Sequence, residues 1–439
     1  MNMAVTLPDL TRFSQALSRL NTTKTSGRVN QVLGLTIQAI GLDCQIGEVC
    51  EIRTAHESLL SEVVGFQEDR ILLMPLGDMQ GIQPGSSVFP IYKNFRTPVG
   101  MPLLGRVLDG LGQPIDNGPA LEGIERVSTN NNPPPPLSRP PIKDPLVTGV
   151  RVIDGMLTCG KGQRMGIFAG SGVGKSTLMG TIARSSRSDV SVIALVGERG
   201  REVREFLERD LGPEGLARSV VVVSTSDQPA LVRLKAAFVA MTIAENFRDN
   251  GMDVTFLMDS VTRFAMAQRE IGLAIGEPPA SKGYTPSVFA LMPRLLERAG
   301  ASEKGTITGF FTVLVEGDDF NEPICDAARG ILDGHIILSR TLAARNHYPA
   351  IDVLNSVSRV MPSVTSREHI QMAATARKHL ATYEKARDLV NIGAYVTGSD
   401  PEIDQALQVL PALTSFLQQE NKDVSTFEDT LNQLQVSQN

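Results

Sequence analysis

The stretch that decides the fold of this chain is Phe168-Ala169-Gly170-Ser171-Gly172-Val173-Gly174-Lys175-Ser176-Thr177. The apolar run before it, residues 162–167, predicts a strand, and the run after it, residues 178–183, predicts a helix. Glycines in the turn let successive backbone N–H groups point inward, and the N-terminus of the following helix adds positive potential. A strand, a glycine-rich turn, Gly-Lys-Ser and a helix in this order predict a loop that binds the phosphates of a nucleotide.

Each residue type in the loop has a place in that prediction. Lys175 would reach the β- and γ-phosphates, and the Ser176 hydroxyl would ligate a Mg²⁺ ion. The usual pattern begins with a glycine where this chain has Ala169, but that position mainly closes the turn and Gly170 lies beside it. A chance glycine-rich turn is the alternative, and the flanking strand and helix argue against it. We expect the nucleotide to contact Gly170, Ser171, Gly172, Val173, Gly174, Lys175, Ser176 and Thr177.

Composition is that of a large globular protein without a nucleic-acid-binding character. The 439 residues leave room for two or three domains, and 42% are hydrophobic and 21% charged. A net charge of −6 argues against general nucleic-acid binding, which usually requires a basic excess. The four cysteines lack paired metal-ligand spacing, no run of about 18 apolar residues occurs, and the first residues lack a secretory signal. We therefore expect a cytoplasmic protein with reduced thiols.

The pattern of apolar residues changes several times along the chain. Leu7, Leu10, Phe13, Leu17 and Leu20 form one stripe of a short helix, which must dock either on this protein or on a partner. Short strand-like runs then recur about every ten residues and predict a small closed barrel. The proline run at 133–136 indicates an extended linker more than a ligand for a proline-binding partner.

The second half of the chain alternates apolar strands with helical runs, which is the pattern of an α/β protein with a parallel sheet. From about residue 366 the periodicity is helical, and Asp400-Pro401-Glu402 is a good helix start. We divide the chain into an amphipathic helix for partner docking (1–26), a β-barrel (27–92), an irregular proline-rich connection (93–144), a phosphate-loop domain (145–362) and a helical domain (363–439).

Three residues outside the loop are candidates for hydrolysis. Asp259 ends the apolar strand 254–258, where an aspartate would orient the Mg²⁺ ion through a bound water. Glu198 follows another apolar strand and could polarise the attacking water, although a solvated charge cluster is the plainer interpretation. Arg359 lies in an apolar segment and could form a salt bridge or reach the γ-phosphate of a neighbouring subunit. Periodicity does not decide between these two roles.

Longer phrases connect the chain to a known family. They are the segments 197–206 (GERGREVREF), 258–272 (MDSVTRFAMAQREIG), 276–279 (GEPP), 286–289 (PSVF) and 331–336 (ILDGHI). On these phrases, residues 27 to about 415 resemble the hexameric rotary-type ATPases, which include the catalytic subunits of F-type ATP synthases, and more narrowly the type III secretion branch. Segments 169–176, 282–286 and 392–395 resemble the flagellum-specific export ATPases more than the injectisome versions.

The resemblance implies a fold and a role for each candidate. It implies an α/β fold with a small N-terminal β-barrel, a central RecA-like parallel-sheet ATPase domain and a C-terminal helical domain. The implied ligands are ATP and Mg²⁺. The implied roles are water activation for Glu198, phosphate contacts for Arg199 and Arg263, the magnesium site for Asp259, adenine stacking for Tyr348, and a finger supplied to a neighbouring subunit for Arg359. From its sequence surroundings alone, Tyr348 indicates only loop or core packing.

The resemblance also implies a biological setting. It implies ATP hydrolysis that energises export of flagellar proteins, by a homohexamer bound peripherally at the cytoplasmic face of the inner membrane. Implied partners are a stator-like regulatory protein at the N-terminal helix, export-gate components, export chaperones and cargo proteins, with no nucleic acid. The alternatives are an injectisome ATPase with the same chemistry, an ATP synthase catalytic subunit, a non-catalytic ring subunit and a ring-shaped RNA translocase. The short chain and segment 200–206 disfavour the second, Glu198 disfavours the third and the acidic balance disfavours the fourth.

Overall fold

The computed structural model describes residues 26–54, 57–315, 317, 319–421 and 423–438. They fall into two compact units, which divide between Phe95 and Arg96. The predicted docking helix lies almost entirely outside the described residues. In the part of the chain that the structure describes, no helix is long and apolar enough to cross a membrane.

The first unit is a closed antiparallel barrel in the strand order β1-β2-β5-β4-β3-β6. Its core contains alternate apolar residues such as Val29, Ile37, Ile52 and Leu73, which are at most 2% exposed. Because side chains alternate between the two faces of a strand, this pattern turns one face of each strand inward. The predicted barrel is therefore confirmed, with strands β1 (Gly27–Leu33), β2 (Thr36–Ile40), β3 (Val49–Arg53), β4 (Ser58–Gln67), β5 (Arg70–Pro75) and β6 (Ser87–Tyr92).

The second unit is built on a large sheet in the order β19-β18-β12-β17-β15-β13-β14-β8, with β16 paired to β17. The seven strands from β18 to β8 are parallel to their neighbours, and β19 is antiparallel to β18. The predicted parallel sheet is thus confirmed. Its strands, with the short pairs β7–β9 and β10–β11, are β7 (Arg96–Pro98), β8 (Val107–Asp109), β9 (Arg126–Ser128), β10 (Pro145–Leu146), β11 (Cys159–Gly160), β12 (Arg164–Ala169), β13 (Val190–Glu198), β14 (Ser219–Thr225), β15 (Asp253–Asp259), β16 (Gly300–Ala301), β17 (Thr306–Leu314), β18 (Gly334–Leu338) and β19 (Val357–Ser358).

Helices cover the sheet and form the C-terminal region. The longest sheet-covering helix packs on β13, β14 and β15, and the last three helices pack on one another and on the first. The helices are α1 (Arg151–Met156), α2 (Lys175–Ser185), α3 (Gly200–Glu205), α4 (Gly212–Ala217), α5 (Ala230–Asp249), α6 (Val261–Ala274), α7 (Pro286–Leu296), α8 (Pro323–Ile331), α9 (Arg340–Ala344), α10 (Met361–Val364), α11 (Arg367–Asn391), α12 (Pro401–Leu417) and α13 (Phe427–Val436), with a π-helical segment at Phe206–Leu211 and 3₁₀ turns at Met101–Leu103, Pro136–Ser138 and Ser281–Gly283.

The C-terminal helices share one hydrophobic core with the sheet. Leu413 and Phe416 of α12 belong to the same buried cluster as Ile167 of β12 and Leu257 of β15. The predicted start of α12 is also confirmed, because the Asp400 side chain accepts hydrogen bonds from the first backbone N–H groups of the helix. Because its apolar face is buried in that shared core, the end of α12 is held against the domain that carries the phosphate loop.

Candidate functional site

The phosphate loop occupies residues 170–174, between the end of β12 and the start of α2. Gly172 and Gly174 have φ angles of 78° and 88°, in the left-handed region that glycine adopts without strain. The Arg340 side chain packs closely on Gly170, since a Cβ atom there would lie 2.6 Å from Nε of Arg340. The chain therefore curls tightly at this point and delivers Lys175 to the first turn of α2.

Three charged side chains meet at the carboxyl edge of the sheet. Lys175 Nζ lies 2.5 Å from Asp259 Oδ1 and 3.7 Å from Glu198 Oε1. The meeting follows from topology, since β13 and β15 are parallel neighbours and pair Leu195 with Asp259. Thr312 of β17 donates a 2.7 Å hydrogen bond to Asp259 Oδ1 and fixes that carboxylate. Residues from three distant parts of the chain thus form one cluster, and the cluster contains three of the predicted site residues.

Burial and neighbouring charges change the acidity of this cluster. Burial alone would lower the pKa of Lys175, but the charges of Asp259 and Glu198 outweigh it and the pKa is raised. Burial, together with the negative charge of Asp259, raises the pKa of Glu198 to about 7. A carboxyl group poised near neutrality can take up a proton during a reaction.

The cluster suits a Mg²⁺ ion that arrives with a nucleotide. Glu198 Oε1 is buried and has no hydrogen-bond partner among the described residues, so an acceptor in the cluster remains available to a water. Mg²⁺ prefers oxygen ligands and is commonly held by one or two protein groups, substrate phosphates and waters. Over the described ranges, no group of three or more His, Cys, Asp or Glu side chains is arranged to hold a metal on its own. The hydroxyl of Ser176, on the first turn of α2, and the carboxylate of Asp259 are the oxygen donors that fit.

The two other predicted phosphate contacts differ in position. Arg263, on the first turn of α6, packs against Gly197, where an added Cβ would lie 2.9 Å from Arg263 Cβ. Its Nε is buried without a hydrogen-bond partner in the described part of the chain. Arg199 instead is exposed and donates a 2.8 Å hydrogen bond to Glu202. The structure therefore places Arg263 beside the end of β13 and Arg199 outside the Lys175 cluster, and both phosphate contacts stay predictions.

A cavity of about 1320 Å³ borders the phosphate loop. Its lining includes Gly172, Gly174 and Thr177 of the loop and helix α2, together with Tyr348 and residues at the end of α12. Two ring carbons of Tyr348 lie 3.4 Å from the position that a Cβ on Gly174 would occupy. Tyr348 is 40% exposed, so part of the residue is open to a ligand. The structure brings Tyr348 to the loop, as the adenine assignment requires.

Arg359 lies at the opposite edge of the sheet. Its backbone N–H donates to Asp333 O at 3.1 Å, and Asp333 N–H donates to Arg164 O at the amino end of β12. The phosphate loop begins after Ala169, at the other end of the same strand. Five residues of strand span roughly 16 Å, and β18 lies between β19 and β12. That separation is more than an arginine side chain spans, so Arg359 does not reach the phosphate loop of its own chain.

Sequence reasoning missed several residues of the site. Arg340 packs on the phosphate loop, Thr312 holds Asp259, and Gln419 and Arg151 contribute to the wall of the cavity. Gln419 follows the phosphate loop by more than two hundred positions, and no spacing or periodicity connects the two. Of these missed residues, only Thr312 lies near the end of an apolar strand, where the sequence offered a signal.

Comparison with known proteins agrees with this site and fold. Family models match the ATP synthase alpha/beta family nucleotide-binding domain over residues 149–358, the beta-barrel domain of that family over 29–90, and the T3SS EscN ATPase C-terminal domain over 365–436. The flagellum-specific ATP synthase of Bacillus subtilis is 56% identical over 93% of this chain and 94% of its own length. The type 3 secretion system ATPase of Xanthomonas euvesicatoria is 51% identical over 96% of each chain.

A solved structure extends the similarity to the fold. The assembled ATPase EscN from the type III secretion system of enteropathogenic E. coli matches with a TM-score of 0.89 and 46% identity, over 94% of this chain and all of that chain. EscN was also solved in complex with its central stalk EscO, and matches with a TM-score of 0.88. This chain therefore belongs to the ATP synthase α/β family, and within it to the branch of flagellum-specific ATP synthases and type III secretion system ATPases.

Proposed function

We propose that this protein hydrolyses Mg-ATP to ADP and phosphate as one subunit of a homohexameric ring, and that hydrolysis energises the export of flagellar proteins. The observation that carries the proposal is the Lys175 cluster, where a phosphate-loop lysine lies between Asp259 and a second carboxyl group, Glu198, with a pKa of about 7. A loop that binds phosphates, a cation and a base at one sheet edge are the parts that phosphoryl transfer to water requires.

The chemistry follows from the positions of these groups. The backbone N–H groups of the loop and Lys175 hold the β- and γ-phosphates. Glu198 orients a water and accepts its proton as the water oxygen attacks the γ-phosphorus, the bond to the β–γ bridging oxygen breaks, and ADP leaves. Ser176 and Asp259 would hold a Mg²⁺ ion, which would neutralise charge on the phosphate oxygens.

Arg359 completes the site in a neighbouring subunit. Its place at the amino edge of the sheet supports a role across an interface, since it lies out of reach of its own phosphate loop. Heterologous contacts between identical subunits close into rings, and the assembled form of the relative EscN fits this picture. An isolated subunit then lacks the arginine that stabilises the transition state and hydrolyses ATP poorly.

The export role rests on the relatives. The named relatives act in flagella or in type III secretion systems, and a central stalk accompanies EscN. We assign this protein a place at the cytoplasmic face of the inner membrane, with a stalk, a stator-like regulator at the N-terminal segment, export-gate components, chaperones and cargo as partners. An injectisome role is the second candidate, favoured by the 51% identity to the Xanthomonas ATPase.

Two experiments test these proposals. The first follows ATP hydrolysis per subunit against protein concentration, with particle size measured in parallel; the rate should climb as rings form, and a rate independent of assembly would contradict the shared site. The second expresses the chain in Bacillus subtilis that lacks its flagellum-specific ATP synthase, with Lys175→Ala as the control. Restored swimming supports the flagellar role, and failure of an active, assembled protein to restore it favours the injectisome role.

A further inference from the structure

One wall of the nucleotide cavity comes from the residues after α12. We call Gln418–Asn421 together with Asp423 the closing segment, and each of its members lines the cavity. Tyr348 and Gly174 line the same cavity. The position of the closing segment therefore determines how much room a base has beside Tyr348.

Gln419 connects the closing segment to the nucleotide-binding domain. Its side-chain Nε2 donates to Gly149 O at 2.9 Å and to Asp423 O at 2.6 Å, and its Oε1 accepts from Arg151 N–H at 2.8 Å. Its backbone N–H donates to Tyr348 O at 2.9 Å. One residue thus joins the start of α1, the loop that carries Tyr348 and the far end of the closing segment.

Arg151 also holds the closing segment through hydrogen bonds. The side chain of Arg151 donates to Asp423 Oδ2 at 2.6 Å, to Phe416 O at 3.4 Å and to Gln418 O. Arg151 is only 9% exposed, so these bonds form away from bulk water, where an unpaired group is costly. With the bond from Gln419 N–H to Tyr348 O, these bonds tie the closing segment both to α1 and to the Tyr348 loop.

A simple structural role would also satisfy these hydrogen bonds. In that case, however, the bonds would have no relation to the ligand, whereas Gln419 itself lines the cavity and its backbone holds the residue that carries the stacking ring. The phosphate loop, by contrast, has no hydrogen bond with Gln419 among the described residues. The base side and the phosphate side of the cavity are thus held by separate contacts.

We infer that Gln419 is a positioning residue for the nucleoside part of the substrate: it sets the gap between Tyr348 and the closing segment, and so determines affinity for the base and ribose without affecting the triphosphate. The inference rests on the proposed function, in which this cavity takes ATP.

The test replaces Gln419 by methionine, which keeps the length and approximate volume of the side chain and removes its three hydrogen bonds. We expect the KM for ATP and the Kd for Mg-ADP to rise about tenfold, the change that loss of one or two net hydrogen bonds produces. The kcat per assembled subunit and the Kd for Mg-tripolyphosphate, which has no base, should stay unchanged. Gln438→Met is the matched control, because it removes one glutamine hydrogen bond, to Met372 O, in the same helical region and away from the cavity.

Two results would overturn the inference. One is an unchanged affinity for Mg-ADP, and the other is an equal loss of affinity for Mg-ADP and Mg-tripolyphosphate, which would mean general loosening of the site. Should Gln419→Met fail to fold, Asp423→Ala tests the role of the closing segment instead, because it removes the carboxylate that pairs with Arg151. The side chain of Asp423 is about half exposed and therefore tolerant of change. The same split between the two ligands is expected. A wild-type protein that binds neither ligand would refute the proposed function instead.

Discussion

The two edges of the large sheet carry different parts of the proposed site. At the carboxyl edge, the ammonium group of Lys175 lies within 4 Å of the carboxyl groups of both Glu198 and Asp259. At the amino edge, Arg359 is exposed, and its backbone is held by Asp333. One chain therefore holds the phosphate-loop lysine and both carboxyl groups of the proposed site together, whereas its Arg359 lies too far away to act on the same nucleotide. In the proposed function, this difference makes a pair of subunits the catalytic unit.

The largest effect is expected at the amino edge. Arg359→Ala should lower kcat per assembled subunit by about 10³-fold or more, because an arginine finger acts on the transition-state charge. The KM for ATP should change little. The measurement is steady-state hydrolysis by rings of verified size, with Arg367→Ala, another exposed arginine, as control. Wild-type turnover by Arg359→Ala rings would show that Arg359 takes no part in catalysis.

The next largest effect is expected at the carboxyl edge. Glu198→Gln keeps the shape of the side chain and removes the group that accepts the proton, so kcat should fall by about 10²- to 10⁴-fold. Binding of Mg-ADP should be retained, because Lys175 and the phosphate loop are intact. Glu205→Gln is the matched control, since Glu205 is a partly exposed glutamate paired with Arg201 on α3. If the Glu198 variant hydrolyses ATP normally in a single-turnover assay, the carboxyl edge lacks the base assigned to it.

A smaller effect, on nucleotide binding and not on the chemical step, is expected at Tyr348. Tyr348→Ala should raise the KM for ATP by about tenfold, because stacking on an aromatic ring contributes roughly 1–3 kcal/mol per base. Tyr348→Phe retains the ring and should retain the KM. Equal KM values for the alanine and phenylalanine variants would show that the ring does not contact the base.

The smallest effect concerns the surroundings of Arg359. Burial, with the positive charges of Arg329 and Arg359, lowers the pKa of His335, which lies beside β19. Removing one of these cations favours the protonated imidazole, so Arg359→Ala should raise the pKa of His335 in an NMR titration. An unchanged pKa of His335 would show that the Arg359 guanidinium does not lie close to it.

The pH dependence of stability has a definite sign at His335. A folded-state pKa below the unfolded value means that the unfolded state binds more protons, so stability rises with pH. The contribution of His335 is complete above the unfolded pKa, about 6.5, and is lost as the pH falls below it. Urea unfolding at pH 7.5 and pH 5.5, compared with His335→Asn, measures that contribution, which should be smaller in the variant.

Much of the fold could be predicted from the sequence because its strands are long and apolar. Runs such as 190–196 and 254–259 are buried on both faces, and their length and β-branched content distinguish them from helices. The barrel strands are short apolar runs separated by turn residues. By contrast, β8, β9 and β19 have two or three residues each, too few for any periodicity, and β8 joins the sheet from within the predicted irregular connection.

The candidate site was predictable only where local sequence determines it. The phosphate loop and the strand-terminal Asp259 have local patterns, whereas the meeting of Lys175 with Glu198 depends on strand order. The place of Arg359 at the amino edge follows from the antiparallel pairing of β19, which no spacing reveals. Gln419 and Arg151 act through contacts between segments far apart in the chain, and such contacts come from tertiary packing alone.

The measurement that tests the paired-subunit account most directly mixes two inactive variants. Glu198→Gln and Arg359→Ala subunits are combined before assembly, and ATP hydrolysis is measured at increasing ratios of one to the other. If Arg359 acts across the interface, random equal mixtures should recover about a quarter of wild-type activity, because half the sites retain Glu198 and half of those receive Arg359 from a neighbour. Mixed rings that remain as inactive as the separate variants would contradict the account.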